Sequence, residues 1–330
     1  MTKRVLHWGF LGTARINRAL MPPLRASTRN ELVAVASRTV ERAEAYAREW
    51  AISRAFGSYE AMLADPGVDA IYISLPNSLH AEWTIKAAQA GKHVLCEKPL
   101  AVSVEEVDAI EAAARRAGIV VAEAFMYRHH PLTLKVKELV DDGAIGDVRL
   151  VRGSFTFNLT RQIDVRLDPS LGGGSIWDVG CYPISYARYV IDAEPIEAFG
   201  WQVSGPSGVD EMFAGQLRFT TGRDMYAQFD SGFRAPFRAH LEIVGSEGTI
   251  QLPRPFKPGL DEHILLRYGD DERTLSVPGQ ELYTGEIEDM ADAVLRGKAP
   301  RVSLADSRGN VAAIVALLRS AREGKPVAVQ

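Results

Sequence analysis

Two short segments carry side chains suited to proton and hydride transfer. Residues 96–99 read Cys-Glu-Lys-Pro after a β-rich run, and Pro99 is expected to turn the chain so that Lys98 points out of a sheet edge. A lysine near a nicotinamide can stabilise an alkoxide or lower the pKa of a neighbouring acid. Because a lone lysine in a turn is ordinarily solvated, Lys98 becomes a catalytic candidate only beside a cofactor site.

The second segment follows the glycines at 172–174 and reads Ser-Ile-Trp-Asp-Val-Gly-Cys-Tyr-Pro. If a helix begins at Trp177, Asp178 and Tyr182 are four positions apart and share one face. Each also has a structural interpretation, because Asp178 can complement a helix dipole and Tyr182 can anchor a core. The paired spacing after a flexible run favours a functional site.

A candidate dinucleotide site lies at residues 9–14, Gly-Phe-Leu-Gly-Thr-Ala. We interpret Gly9 as the residue of the tight turn, Gly12 as the point where backbone approaches a pyrophosphate, and Ala14 as allowing close helix packing. The motif alone is weak and gains weight from the strand before it and the helix after it. The cofactor contacts predicted here are Gly9, Leu11, Gly12, Thr13, Ala14, Arg15 and Ile16.

The end of the second predicted strand distinguishes the two nicotinamide dinucleotides. A carboxylate there would bind the ribose diol of NAD, whereas an arginine accommodates the 2′-phosphate of NADP. The chain has Ser37-Arg38 and no acid before Glu41. These residues favour NADP, with NAD possible, unless Arg38 is only a solvated helix start.

The loop at 75–80, Leu-Pro-Asn-Ser-Leu-His, follows another predicted strand. Ligand crevices lie beyond the carboxyl ends of such strands, although Asn77 and Ser78 can instead cap the next helix. Both interpretations are compatible. The remaining predicted cofactor contacts are Leu75, Pro76, Asn77, His80, Glu97, Lys98 and Arg128.

Apolar strands and helices alternate over the first 120 or so residues. Nearly continuous apolar strands separated by helices predict a parallel sheet covered on both faces. We therefore predict a doubly wound α/β domain over residues 1–123. Its predicted strands are 4–10, 31–37, 70–74, 93–96 and 119–122, and its predicted helices are 14–25, 39–50, 78–90 and 103–117.

The pattern changes after about residue 146 to a long alternating strand, a helix and a series of shorter strands separated by turns. Turns such as Thr221-Gly222-Arg223 indicate an antiparallel meander. We predict an α+β domain over 124–330 with a large open, mostly antiparallel sheet. Its predicted strands are 148–158, 198–204, 214–220, 225–231, 239–244, 249–252 and 264–268, with helices at 177–191, 282–296 and 306–323.

Composition agrees with a two-domain globular protein. The chain has 330 residues, or roughly 2.2 domains at about 150 residues each. Hydrophobic residues make up 46% and charged residues 24%. Because the 38 Lys and Arg residues are slightly outnumbered by 42 Asp and Glu residues, no strong positive field exists to attract nucleic acid.

Cysteine usage and the lack of long apolar segments predict a cytoplasmic protein without membrane attachment. Cys96 and Cys181 form no metal motif and fit a reducing compartment. No apolar run approaches a bilayer span, and the N-terminal residues 1–4 lead into no secretion signal. His129-His130 does not indicate a metal site, because adjacent side chains diverge on regular elements and no further ligand cluster accompanies them.

These segments together resemble the glucose-fructose oxidoreductase/inositol dehydrogenase (Gfo/Idh/MocA) family over essentially the whole chain. The resemblance is carried by residues 9–14, 75–80, 96–99, 124–131 and 172–183. It implies a Rossmann domain, a second domain whose open sheet forms a homodimer or homotetramer, and Lys98, Asp178 and Tyr182 as the catalytic group. The substrate contacts expected in this framework are Tyr127, Arg166, Trp177, Asp178, Tyr182 and Tyr283.

The resemblance also limits which reactions are expected. Members similar to inositol dehydrogenase carry histidine where this chain has Tyr182, whereas those similar to xylose or dihydrodiol dehydrogenase carry tyrosine. We expect an NADP-dependent enzyme that oxidises a sugar or polyol, such as an aldose at C1, with Tyr182 accepting the proton, Lys98 assisting and Asp178 orienting. The alternatives are a trans-dihydrodiol dehydrogenase, a dicarbonyl-sugar reductase, or a nucleotide-sensing regulator without turnover. Arg166 can instead belong to a solvated loop, and Tyr283 can instead pack the final helices.

Overall fold

The computed structural model describes residues 5–330, so the predicted strand start at Arg4 and the N-terminal residues 1–4 lie outside it. The described chain forms two compact units. The first unit extends to His129 and also includes Tyr283–Ser307, and the second comprises His130–Leu282 and Arg308–Gln330. No helix within 5–330 is long and apolar enough to cross a membrane.

The first unit is a doubly wound α/β domain, as predicted. Its strands, in residues 5–330, pair in the order β3-β2-β1-β4-β5-β6, and every neighbouring pair is parallel. The strands are β1 (Leu6–Leu11), β2 (Asn30–Ala36), β3 (Arg54–Phe56), β4 (Ala70–Ile73), β5 (His93–Glu97) and β6 (Val121–Ala124). The helices between them are α1 (Asn17–Ala26), α2 (Val40–Trp50), α3 (Tyr59–Leu63), α4 (His80–Gln89) and α5 (Val104–Ala117).

The strand order reverses between β1 and β4, and this reversal positions the candidate cofactor edge. Right-handed crossovers place the helices of the two halves on opposite faces of the sheet. The loops after β1, β2, β4 and β5 consequently meet at one edge, and a ligand crevice forms where the order reverses. The predicted cofactor segments all begin at this edge.

Local signals set most helix ends. Ser103 accepts a hydrogen bond from the Glu106 backbone N–H at 3.2 Å, and α5 ends at Gly118 with φ of 66°. Thr39 caps α2 in the same way. Strand β3 and helix α3 were not predicted, because three and five residues are too few to show a hydrophobic period.

Helix α8 (Thr284–Arg296) belongs to the first unit, although the predicted boundary at 123/124 assigned it to the second. Arg29, just before β2, forms ion pairs with Glu288 and Asp292 of this helix. The Asn30 side chain donates to Glu288 at 3.2 Å. These long-range polar contacts have no signal in the local sequence, so the contiguous division could not anticipate them.

The second unit contains the mostly antiparallel sheet that was predicted. Among the described residues its strand order is β14-β13-β12-β11-β7-β10-β9-β8-β15, and β7 and β10 pair in parallel. The strands are β7 (Val148–Asn158), β8 (Glu197–Ser204), β9 (Asp210–Thr220), β10 (Asp224–Gly232), β11 (Arg234–Gly245), β12 (Gly248–Leu252), β13 (Asp261–Tyr268), β14 (Asp271–Pro278) and β15 (Val327–Ala328). The remaining helices are α6 (Pro131–Asp141), α7 (Cys181–Ile191) and α9 (Leu304–Glu323).

One face of this sheet packs on α7. Gly153 of β7 permits a close approach, because a Cβ there would lie 2.7 Å from Cβ of Pro183. Phe155, Phe213 and Phe229 are buried on this face. Helix α6 was not predicted, although His130 caps it and Pro131 occupies its first turn.

Candidate functional site

The turn after β1 is built around Gly12. Its φ is 107°, and a Cβ there would lie 3.2 Å from Cδ2 of Leu75. Gly9 instead lies inside β1, where a Cβ would be 2.8 Å from Sδ of Met62. The tight-turn role predicted for Gly9 therefore falls on Gly12, and Gly9 serves the packing of the sheet on α3.

The phosphate-binding fingerprint accordingly runs Gly12-x-Ala14-x-x-Asn17. Asn17 is fully buried and donates from Nδ2 to the Gly12 carbonyl at 2.9 Å. This bond ties the start of α1 to the turn, and it explains why α1 begins at 17 rather than 14. Asn17 was not a candidate, although the fingerprint spacing pointed to it. Of the other predicted contacts, Leu11 is buried, Arg15 is exposed, and Thr13, Ala14 and Ile16 are half-buried.

The segment after β2 contains a hydroxyl group and two guanidinium groups. Ser37 is buried and Arg38 is exposed. Arg42, one turn into α2, donates from Nε to Oγ1 of Thr13 at 2.8 Å. Burial raises the pKa of Tyr59, and the charges of Arg38 and Arg42 oppose that rise. Arg42 was missed, although its i,i+4 spacing from Arg38 was visible.

The loop after β4 is held by His80. This residue is 1% exposed, and burial lowers its pKa. Its Nδ1 lies 2.7 Å from the Pro99 carbonyl oxygen and its Nε2 lies 2.8 Å from that of Leu75. His80 thus contacts backbone of two candidate loops. The N-cap position of α4 is occupied by Leu79, rather than by Asn77 or Ser78.

Lys98 is half-buried immediately after β5, and a cis peptide bond joins it to Pro99. Its backbone N–H donates to Oε2 of Glu97 at 3.3 Å. The Tyr72 hydroxyl donates to the same carboxylate. Glu97 and Lys98 thus lie at the carboxyl end of β5, the edge of the parallel sheet at which they were expected.

A further carboxyl lies in this unit at Glu286 of α8. Among residues 5–330 neither of its carboxyl oxygens has a hydrogen-bond partner. Burial, and then the charge of Glu97, raise the pKa of Glu286 well above its usual value. Tyr283 lies at the N-cap of α8 and is 9% exposed.

The segment Met126–His129 forms a short 3-10 helix. The ring of Tyr127 is fully buried and packs edge-on against Phe125 at 5.8 Å. Arg128 is buried and forms an ion pair with Asp306 at 2.9 Å. Within the described chain no group of three or more His, Cys, Asp or Glu side chains is arranged to hold a metal.

In the second unit, the segment Ile176–Gly180 forms a π-helix that continues into α7. Asp178 lies in the π segment and Tyr182 in the α-helix, so the helix predicted from 177 changes type between them. Oδ2 of Asp178 accepts from Nε of Arg166 at 2.6 Å. The carboxylates of Asp178 and Asp164 raise the pKa of Arg166. The structure thus pairs Arg166, on a short 3-10 helix, with Asp178 on a π segment, a feature frequent at functional sites.

Tyr182 is packed by aromatic rings. Its ring centroid lies 5.3 Å from that of Phe155 and 5.7 Å from that of Phe256. Trp177 is 7% exposed. The ring of Tyr182 therefore does anchor the core, and this packing fixes where its hydroxyl is held.

Asp210 of β9 supports the start of the π segment and was not a candidate. Its Oδ2 accepts from Oγ of Ser175 at 2.6 Å and from the Ile176 backbone N–H at 2.9 Å. Burial raises the pKa of Asp210 to about 6, against the effect of these hydrogen bonds. Gly174 has φ of 125°, and a Cβ there would collide with Asp210.

Comparison with known proteins agrees with this geometry. Residues 6–125 match the oxidoreductase family with an NAD-binding Rossmann fold, GFO_IDH_MocA, and residues 133–251 match the GFO/IDH/MocA C-terminal domain. D-xylose 1-dehydrogenase (NADP(+)) 2 of Haloferax volcanii is 39% identical over 97% of this chain and 98% of that protein. A dTDP-3,4-didehydro-2,6-dideoxy-alpha-D-glucose 3-reductase of Streptomyces violaceoruber is 36% identical over 95% of this chain and 93% of that protein.

Solved structures show the same fold. Aldose-aldose oxidoreductase from Caulobacter crescentus superposes with a TM-score of 0.91 and 28% identity, covering 98% of this chain and 100% of that one. A 3-ketoreductase from Actinomadura kijaniata in complex with NADP and TDP-benzene superposes with a TM-score of 0.89 and 31% identity. The match covers 96% of this chain and 98% of that one. The predicted family is confirmed: the chain is a member of the Gfo/Idh/MocA family of oxidoreductases, whose N-terminal domain has an NAD-binding Rossmann fold.

Proposed function

We propose that this protein is an NADP-dependent dehydrogenase that transfers hydride between a sugar or polyol and the nicotinamide, with an aldose oxidised at C1 as the first substrate class. The observation that carries the proposal is the edge of the parallel sheet, where the Gly12 turn and the Lys98 segment follow β1 and β5. The Haloferax volcanii relative, named as an NADP-dependent xylose dehydrogenase, supports the substrate class.

The residues of the first unit fit NADP. Gly12 leaves open the space that a Cβ would fill beside Leu75, which allows a pyrophosphate to approach the backbone. Ser37, Arg38 and Arg42 supply one hydroxyl and two guanidinium groups for a 2′-phosphate. NAD remains the alternative cofactor.

We assign the chemistry to three side chains. The bound nicotinamide accepts or supplies the hydride. Tyr182 accepts the hydroxyl proton during oxidation, and Lys98 assists as a positively charged group. Asp178 orients the substrate and is itself oriented by Arg166 at 2.6 Å.

The assignment has support from a related structure. The 3-ketoreductase from Actinomadura kijaniata has been solved with a lysine replaced and with a tyrosine replaced. That lysine and tyrosine have the same separation along their chain as Lys98 and Tyr182 have here. The remaining proposed substrate contacts are Tyr127, Arg166, Trp177 and Tyr283.

The test is an absorbance assay of the reduced nicotinamide with a panel of sugars, polyols and trans-dihydrodiols, run with both NADP and NAD. We expect turnover of an aldose with preference for NADP. Lys98→Met and Tyr182→Phe should each lower kcat at least about 100-fold, with NADP binding retained in Tyr182→Phe. Near-native rates in both variants would overturn the catalytic assignment, and a preference for NAD would overturn the cofactor assignment.

Two other outcomes identify the alternatives. Turnover of a dihydrodiol or reduction of a dicarbonyl sugar would favour the activities named for relatives from Danio rerio and Streptomyces violaceoruber. Binding of NADP without turnover of any compound would identify a nucleotide-sensing regulator. The presence of Lys98, Asp178 and Tyr182 supports an enzyme over a regulator.

We also propose that the protein forms a homodimer or homotetramer through the face of the large sheet opposite α7. Trp201 and Val203 of β8 and Tyr226 of β10 are 59%, 66% and 45% exposed. Strand register places Trp201 and Tyr226 on the same face. A cytoplasmic location remains the expectation from cysteine usage.

A further inference from the structure

His80 is the first residue of α4 and is almost completely buried at 1% exposure. Each of its ring nitrogens is within hydrogen-bond distance of a backbone carbonyl, at 2.7 Å for Pro99 and 2.8 Å for Leu75. These two carbonyls are 24 positions apart in sequence and lie on different loops. Because both partners are carbonyl oxygens, the neutral ring donates its N–H to one of them and contacts the other, whereas the imidazolium donates to both. In either form the rigid ring lies between the two loops and limits how closely they approach.

The two loops serve different parts of the proposed reaction. Leu75 lies in the loop after β4, and its side chain borders the space kept open by Gly12. Pro99 directly follows Lys98 at the end of β5. Since β4 and β5 are paired neighbours, one side chain of suitable length can span both loop ends.

We propose that His80 is a positioning residue that fixes the Lys98 loop relative to the dinucleotide loop, so that cofactor binding and the placement of the lysine are coupled. The inference rests on the proposed function, because it assigns His80 to the same site. His80 acts through the Leu75 and Pro99 carbonyls, a role different from the direct cofactor contact that the sequence predicted.

The ring chemistry makes the role specific to histidine. A neutral imidazole donates from one nitrogen only, so the tautomer decides which loop receives the N–H. Alanine removes both contacts. Glutamine retains an amide that carries two donor hydrogens, so it is the conservative replacement.

The experiment measures the Kd of NADP by quenching of protein fluorescence and kcat at saturating cofactor. We expect His80→Ala to raise the Kd about tenfold and to lower kcat about 100-fold, since a small misplacement of a reacting group costs that much. His80→Gln should recover part of both losses. In a Lys98→Met background, His80→Ala should change kcat less than about twofold while the Kd still rises, because the kcat effect acts through the lysine.

His130 is the matched control. It is also fully buried and also joins backbone groups, with Nε2 3.1 Å from the Gly259 carbonyl oxygen and Nδ1 accepting from the Leu132 N–H at 3.1 Å. It belongs to the second unit. His130→Gln should leave the Kd of NADP unchanged.

Three results would overturn the inference. They are an unchanged Kd and kcat in His80→Ala, an equal kcat loss with and without Lys98, and no recovery in a folded His80→Gln. If the wild type turns over no compound of the panel, the proposed function fails separately. The Kd of NADP then still tests whether His80 positions the dinucleotide loop. An unchanged Kd in both His80 variants would reject that role.

Discussion

At the scale of single residues, Arg42 shows how a side chain one helical turn from a motif contributes to the candidate cofactor site. Its Nε donates to Oγ1 of Thr13 at 2.8 Å, linking the first turn of α2 to the turn after β1. Arg38 and Ser37 precede it on the same segment. A phosphate bound here would receive charge-assisted hydrogen bonds from a preformed group of donors.

Arg42→Ala is therefore expected to weaken NADP binding about tenfold, the effect of losing about 1.4 kcal/mol of interaction. The affinity for NAD, which lacks the 2′-phosphate, should change less than about twofold. Fluorescence titration with each cofactor measures both values. Arg48→Ala is the control, because Arg48 is an exposed residue of the same helix that pairs with Glu44. Equal weakening of NADP and NAD would contradict the phosphate role.

Candidate residues could be identified from the sequence where a single short motif contained all the residues involved. Lys98, Asp178 and Tyr182 were identified from their local motifs, and their assignment is a proposal still to be tested. The role of Gly9 was assigned wrongly, because sequence does not show where β1 ends. Asn17, Arg42 and Asp210 were missed, since their partners lie on the turn or strand that folding brings to them.

At the scale of elements, the start of the π segment depends on a carboxylate from another strand. Asp210 has a folded-state pKa of about 6, above its usual 3.8, because burial penalises its charge. The stability that this group contributes is present in full below about pH 4 and is lost as pH rises through about 6. The loss amounts to about 3 kcal/mol.

Asp210→Asn cannot ionise and should escape this loss. Relative to the wild type, the variant is expected to gain about 3 kcal/mol in free energy of unfolding between about pH 4 and pH 7.5. Urea denaturation at several pH values measures the difference. Ser175→Ala removes a hydrogen bond that lowers the pKa of Asp210, so it should make the pH dependence steeper. A wild-type–variant difference that does not vary with pH would contradict the role of Asp210.

Elements were predicted best where hydrophobic pattern and end signals agreed. Strand β7 was predicted with both of its observed ends, 148 and 158, because one face is buried and the residues alternate. Helix α5 differed by one residue, since Ser103 and Gly118 mark its ends. The exposed strand β14 was missed, because a mostly exposed strand has few buried side chains to produce the alternation.

At the scale of the whole molecule, the large sheet has one face packed on α7 and another that carries exposed aromatic groups. Trp201 packs edge-on against Phe199 at 4.3 Å while remaining 59% exposed. Exposed aromatic residues that adjoin polar ones are typical of protein interfaces. Arg218 of β9 is paired with Tyr226 of β10 in the register of this sheet.

Trp201→Glu is expected to convert the proposed homodimer or homotetramer to smaller species, because a buried unpaired charge destabilises an interface. Light scattering coupled to size-exclusion chromatography measures the mass. Leu260→Glu changes another exposed apolar residue of this unit, 63% exposed and outside the strands, and should leave the mass unchanged. A wild type that is monomeric at micromolar concentration would overturn the oligomer proposal.

The sequence by itself determined the fold class and the family. Period-two and apolar strand patterns report which faces are buried, and short motifs such as those at 9–14 and 96–99 occupy contiguous residues. Tertiary structure alone decided which distant groups meet. Helix α8 joined the first unit through Arg29, His80 came to lie between two carbonyls, and Asp210 reached the π segment. Such contacts depend on the packing of whole elements, so a local pattern of residues does not contain them.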